Sequence, residues 1–185
     1  MRAITLFFIA LSISFVVSSQ EINKEISTNG VKFLVGRIST EVISQKPYNT
    51  WFTPNFEKYT VDLTAISKIE NQLKSHQILI FLGTWCGDSK REVPRFLKIL
   101  DAVDFPQKNL KIVALDRRKE HYKKSPTNEE WALNIQRVPT FIFYKNGKEV
   151  NRIIETPNTT LEKDILAILT TDSYIANKAK SMHFD

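Results

Sequence analysis

The side chain with the most distinctive chemistry in this 185-residue sequence is its single cysteine, Cys86, set in Gly83-Thr84-Trp85-Cys86-Gly87-Asp88-Ser89. One cysteine cannot pair within the chain, so it is a packed apolar residue, an intermolecular link or a reactive thiol. Its position favours the third. The continuous apolar run Ile78-Leu79-Ile80-Phe81-Leu82 ends just before it, and Val93, Phe96, Leu97 and Leu100 follow at helical spacing. Cys86 therefore falls where a strand gives way to a helix. There the unpaired backbone N–H groups and the positive end of the helix dipole favour thiolate, the form that attacks disulfides. Asp88 suits a helix start, although a carboxylate so near opposes a second negative charge on sulfur. Ser89, in the first turn, is placed either to donate to the thiolate or to satisfy the turn itself.

Other chemistries find little support. His76, His121 and His183 lie far apart without metal-ligand spacing and are expected at the surface, so neither a metal nor any other cofactor is expected. No phosphate-binding glycine loop or Gly-x-Ser-x-Gly elbow is present. The net charge of +6 is mild and spread along the chain, which points to a solvated surface and away from nucleic-acid binding. One cluster stands out. Arg117, Arg118, Lys119, Lys123 and Lys124 follow the apolar run Leu110–Leu115. If that run is parallel to the first, the two loops share one sheet edge. The cluster then either stabilises the thiolate and attracts acidic ligands such as glutathione-like thiols, or is a solvated charged loop.

The elements that must position Cys86 can be read in order. Residues 1–19 form a signal peptide: Arg2, an apolar stretch from Ile4 to Val17 and the small-residue cleavage site Val17-Ser18-Ser19, with Gln20 as the mature N-terminus. The stretch is short for a spanning helix, so the mature protein is expected to be exported, periplasmic or extracellular, without stable membrane insertion. Residues 20–76 form an N-terminal extension together with the first elements of the domain. Gln20–Gly30 reads as polar and mobile, Val31–Val35 as a strand, and Pro47–Tyr59 as an irregular lid. Asp62 caps a helix with Leu63, Ile66, Ile69 and Leu73 on one face. Residues 77–169 are the core and 170–185 a frayed tail. Within the core, Pro94 is expected to kink the helix after Cys86. Thr127-Asn128-Glu129-Glu130 has capping-box form and predicts a short helix. Asn146-Gly147 joins two antiparallel strands, and Thr159–Glu162 caps a closing helix. Asn158-Thr159-Thr160, of glycosylation form, is read as part of that cap.

In this order of elements the chain resembles the thioredoxin family. The residues that carry the resemblance are Trp85-Cys86-Gly87-Asp88-Ser89, Pro94, Val138-Pro139-Thr140 and the hairpin from Phe141 to Lys148, over about Gln77 to Leu169. The string from Gly83 to Pro94 is similar to exported thioredoxin-like proteins of the bacterial envelope. The resemblance implies an α/β thioredoxin-like fold, a mixed central sheet flanked by helices, carrying an N-terminal extension. It also implies that Pro139 is a cis-proline facing the sulfur, and that Trp85, Gly87, Val138 and Thr140 shape a substrate groove. The departures matter as much. Ser89 stands where redox-active members carry a second cysteine, so no disulfide cycle can close within one chain. Asp88 replaces the usual proline, Ile80 the buried acid, and Glu155 a glycine beside the groove. Glu155 either narrows that groove and selects basic partners or is an exposed strand end.

Three functions are compatible with this reading. In the first, Cys86 attacks a disulfide or mixed disulfide and an external thiol resolves the adduct, the partners being protein or small-molecule thiols and disulfides. In the second, the groove holds exported proteins without turnover. In the third, Cys86 is a redox sensor, oxidised to sulfenic acid or capped by a small thiol. Oligomeric state leaves no trace in the sequence.

Overall fold

The computed structural model describes residues 21–179, so the signal peptide, its cleavage site and His183 lie outside the described residues. Six strands form one mixed sheet: β1 (Lys24–Thr28), β2 (Val31–Ile38), β3 (Gln77–Leu82), β4 (Leu110–Ala114), β5 (Thr140–Lys145) and β6 (Lys148–Ile154). Their spatial order is β1-β2-β4-β3-β5-β6. Only β3 and β4 run parallel, as expected of two strands joined through a helix; Ile80 pairs with Ile112. The β5–β6 hairpin is antiparallel, and its Asn146-Gly147 turn has both residues at positive φ, 52° and 75°.

The helices are α1 (Thr40–Ser44), α2 (Asn49–Lys58), α3 (Leu63–Ile66), α4 (Glu70–Lys74), α5 (Gly87–Ala102) and α6 (Leu161–Thr170). Side chains alternate across a strand, and β3 uses this to serve two cores. Ile78, Ile80 and Leu82 face the helix side, where Phe96 of α5 stacks on Phe141 with ring centroids 4.3 Å apart. Phe81 faces the other side with Val113, Leu115, Val138 and Ile142. That second face is covered by the long loop between β4 and β5 rather than by a helix. Pro94, expected to kink α5, is buried in mid-helix and does not end it.

Several expectations are corrected. Lys24–Thr28, within the stretch read as mobile, is an edge strand joined to β2 by Asn29-Gly30 at φ 51° and 74°. The Pro47–Tyr59 lid is mostly the helix α2, whose Phe52 stacks on Phe56. The helix begun by Asp62 is interrupted: Asp62 caps α3 through the Ala65 N–H, α4 starts afresh at Glu70, and Leu63 is left exposed while Ile66, Ile69 and Leu73 are buried. Thr127–Glu130 starts no helix. Asn128, Ala132 and Asn134 have positive φ, and Ser125 rather than Thr127 binds the Glu129 N–H. The tail is not frayed through residue 179. The Tyr174 hydroxyl donates to Asp164 at 2.6 Å, Asn151 donates to the Tyr174 carbonyl, and Ala176 is buried. His76, expected at the surface, is 2% exposed, its Nδ1 donating to the Gln72 carbonyl at 2.7 Å.

Candidate functional site

Cys86 is the N-cap of α5, with extended backbone (φ −88°, ψ 130°), at the end of the turn that leaves β3. It is half-buried. Its backbone N–H donates to the Gly83 carbonyl at 2.8 Å, and its carbonyl accepts the Lys90 N–H at 3.0 Å, so the chain around the sulfur is held from both sides. The side chain spends no hydrogen bond on capping its own helix. Instead Sγ donates to the Val138 carbonyl at 3.2 Å. The Val138–Pro139 peptide is cis, and Val138, Pro139 and Thr140 are buried. Thr140 fixes this segment by donating from Oγ1 to the Arg137 carbonyl at 2.7 Å. The helix start after β3 and the Val138–Thr140 segment, 52 residues later, thus meet at the sulfur.

Trp85 is positioned by two constraints. Its Nε1 donates to the Leu115 carbonyl at 2.8 Å, and its indole lies over Gly83, where a Cβ would come within 2.6 Å of Cε2. Glycine is required there by space rather than by φ. Tyr122 packs against the same indole, ring centroids 5.6 Å apart. Thr84 is buried and accepts the Leu34 N–H at 3.1 Å, tying the turn to β2. The Leu115 N–H bonds the Leu82 carbonyl at 2.8 Å, so the loop after β4 does flank the Cys86 turn.

Of the two compatible roles open to Ser89, the structure shows the one in the turn. It is fully buried, and its Oγ accepts the Gly83 N–H at 3.2 Å, so the position of the family's second cysteine here holds the turn in place. Gly87 is exposed at the start of α5. Asp88 accepts from Arg91 Nη2 at 2.6 Å, and the same guanidinium donates to Glu92 at 2.6 Å. These two carboxylates raise the Arg91 pKa, Glu92 most strongly. The negative charge of Asp88 is therefore answered along the helix.

Glu155 is neither an exposed strand end nor a free groove carboxylate. Both its oxygens lie 3.2 Å from Arg137 Nη1, its N–H donates to the Pro139 carbonyl at 2.7 Å, and its φ is +60°. That left-handed backbone explains why a glycine is the ordinary occupant of such a position.

The basic loop is sorted by the structure. Arg118 binds Asp116 through two nitrogens, at 3.0 and 2.7 Å, and with His121 and Lys124 lines a cleft of about 260 Å³ that opens toward β1 and β2. Arg117 and Lys119 are exposed. Arg117, Arg118 and Lys119, the three proposed as a basic flank, make no hydrogen bond or ion pair with Cys86 among the described residues. Lys123, which sequence reasoning placed in the cluster without distinction, turns inward to donate to the Gln136 carbonyl. Arg137 was missed because nothing in its sequence context signals the ion pair with Glu155, 18 residues later. Among the described residues no group of three or more His, Cys, Asp or Glu side chains is arranged to hold a metal ion, and no helix is long and apolar enough to cross a membrane.

Comparison with known proteins matches residues 44–167 to a family model described as thioredoxin. A thioredoxin of Geodia cydonium is 32% identical over 81 residues, 44% of this chain and 67% of its own length. The mitochondrial thioredoxin-3 of Saccharomyces cerevisiae is 28% identical over 105 residues, 56% of this chain and 75% of its own length. The crystal structure of that yeast mitochondrial thioredoxin 3 in its oxidised form overlays with a TM-score of 0.32 at 24% identity, covering 54% of this chain and 86% of the other.

Proposed function

The chain belongs to the thioredoxin family, and from that premise we propose that it is an exported monothiol thiol–disulfide exchange protein whose nucleophile is Cys86. The observation that carries this reading is the placement of the only sulfur nucleophile at the N-cap of α5, half-buried against the cis Val138–Pro139 segment. Cys86 stands at the N-terminus of a sixteen-residue helix, whose unpaired first-turn N–H groups carry positive partial charge. Ionisation ends the Sγ–H donation to the Val138 carbonyl and frees the sulfur for attack.

The exchange then balances without any cofactor. Cys86 thiolate attacks one sulfur of R–S–S–R′; the Cys86–S–S–R bond forms, the S–R′ bond breaks, and R′–S⁻ leaves to be protonated by solvent. With Ser89 in the place of a resolving thiol, a second thiolate supplied by a low-molecular-mass or protein thiol attacks the adduct, releases Cys86 and carries R away as a new disulfide. Trp85, held over Gly83, and the buried Val138–Thr140 segment wall the groove in which the partner lies. Glycine 87 leaves the helix start open.

Export rests on residues 1–19 and is tested by the intact mass of the protein in the exported fraction, expected to begin at Gln20. The exchange is tested by turnover: reduction of a mixed disulfide by a small thiol should be accelerated by the protein and should depend on thiol concentration, and Cys86→Ser should abolish it. Binding of disulfide-containing proteins unchanged in Cys86→Ser, with no turnover in the parent, would replace this reading with that of a non-catalytic binding module.

A further inference from the structure

Arg91, Arg137 and Lys123 lie on segments that meet around Cys86, and two of them already face carboxylates: Arg91 with Asp88 and Glu92, and Arg137 with Glu155. Lys123 is the third. It has no carboxylate within ion-pair distance among the described residues; its ammonium donates to the Gln136 carbonyl and lies 4.9 Å from the Tyr122 ring centroid. Its side chain is half-buried, and an ammonium drawn out of water without a counter-ion favours an arriving anion.

Cys86 and Lys123 are anchored on the same short segment, Cys86 on the Val138 carbonyl and Lys123 on the Gln136 carbonyl two residues earlier. The same neighbourhood is seen from the ammonium: burial lowers the Lys123 pKa, Arg137 lowers it further, and the charges of Glu155 and Cys86 draw it back up. The Trp85–Tyr122 contact holds the lysine's neighbour against the groove wall. The remaining cations of the loop are disposed differently, Arg118 neutralised by Asp116 and Arg117, Lys119 and Lys124 exposed.

From this placement we infer that Lys123 is a specificity residue of the Cys86 site, receiving a carboxylate carried by the same partner whose sulfur bonds to Cys86, so that anionic thiols and disulfides are taken in preference to cationic ones. The inference rests on the thiol-exchange reading of Cys86. Such a carboxylate extends from the reacting sulfur toward the Gln136 end of the segment, where Lys123 is anchored, while Arg137 is already engaged by Glu155.

The test uses three small symmetrical disulfides that differ in charge: dithiodipropionate (negative), bis(2-hydroxyethyl) disulfide (neutral) and cystamine (positive). The rate of Cys86 adduct formation is followed by intact mass on the full chain, each rate divided by that of 2-mercaptoethanol with the same disulfide to cancel intrinsic reactivity. The normalised rate with dithiodipropionate should exceed that with cystamine by about fivefold or more at low salt. Lys123→Gln should collapse that ratio toward one. Lys108→Gln, which removes the same charge beside the opposite end of β4, should leave the ratio in place. Because each ratio is taken within one protein, partial loss of folded material does not move it. Equal normalised rates in the parent, or a ratio unchanged by Lys123→Gln, overturn the inference while leaving thiol exchange intact. Absence of any adduct on the native protein, with labelling only after unfolding, overturns the exchange reading and this inference with it.

Discussion

Ser89→Cys should turn a single-thiol site into a dithiol that resolves its own adducts, at a measurable cost in stability. Ser89 is fully buried and its Oγ accepts the Gly83 N–H at 3.2 Å, a bond that a sulfur replaces poorly. Weakening a hydrogen bond to a buried backbone N–H costs about 1–2 kcal/mol. In a domain of this size each kcal/mol moves the melting temperature by about 2–4 °C, so the reduced variant should melt about 2–8 °C below the parent. The chemistry changes in kind. In the parent the second step waits for an external thiol, so turnover rises with its concentration. In the variant the introduced thiol sits one helical turn from the sulfur, and intramolecular attack makes that step independent of external thiol. A single turnover of the pre-reduced proteins with insulin, with no small thiol present, separates the two behaviours: the variant releases reduced insulin and closes its own disulfide, whereas the parent stops as the mixed disulfide until a small thiol is added. Mass analysis after oxidation shows whether the new dithiol has closed. A variant that folds, closes its disulfide and still shows no turnover would refute the claim that the groove retains redox geometry. An unchanged melting temperature would refute the role given to the Ser89–Gly83 bond.

Gly83→Ala should force the Trp85 indole from its place, since the added Cβ meets Cε2 at 2.6 Å; a loss of about 1–3 kcal/mol in denaturant unfolding is expected, together with slower Cys86 modification. Glu155→Gly relieves a left-handed backbone at the loss of a part-exposed ion pair, so stability should stay within about 1 kcal/mol of the parent. The same change frees Arg137 and should raise the rate with dithiodipropionate relative to cystamine. His76 is buried, and its pKa is lowered from 6.5, chiefly by desolvation. The unfolded chain therefore binds the His76 proton more readily than the fold does, and stability should fall as pH drops below about 6.5. His76→Asn should flatten that part of the urea-midpoint profile; a profile unchanged by the substitution would assign the acid sensitivity to other groups.

What the sequence made legible follows from how local each signal is. The β3–Cys86–α5 junction could be read because a buried strand, a turn and an amphipathic helix follow one another without interruption. The β5–β6 hairpin was marked by Asn146-Gly147. The same dipeptide at Asn29-Gly30 makes the β1–β2 hairpin, yet its flanking strand Lys24–Thr28 is polar and edge-exposed and lacks the apolar alternation that would have named it. In α2, Trp51, Phe52 and Phe56 are in ring contact and Pro54 stands inside the helix, a combination that obscures a helical period. The capping-box pattern at Thr127 misled because Ser125, two residues earlier, captured both Glu129 and Glu130. At the site, the meeting of Cys86 with Val138 was expected only through family resemblance. The roles of Ser89, Lys123 and Arg137 depend on contacts across 6, 13 and 18 residues and needed the fold.

The central claim is that the native fold presents Cys86 as a nucleophile whose adduct an outside thiol removes. It is tested most directly by an intact-mass time course of the folded protein, first with bis(2-hydroxyethyl) disulfide and then with excess 2-mercaptoethanol. The account predicts stoichiometric addition of one hydroxyethylthio group, absent from Cys86→Ser, at a rate at least comparable to that of a free small thiol, followed by complete return to the unmodified mass. Addition that appears only in denaturant, or an adduct that the second thiol fails to remove from the folded protein, would contradict it.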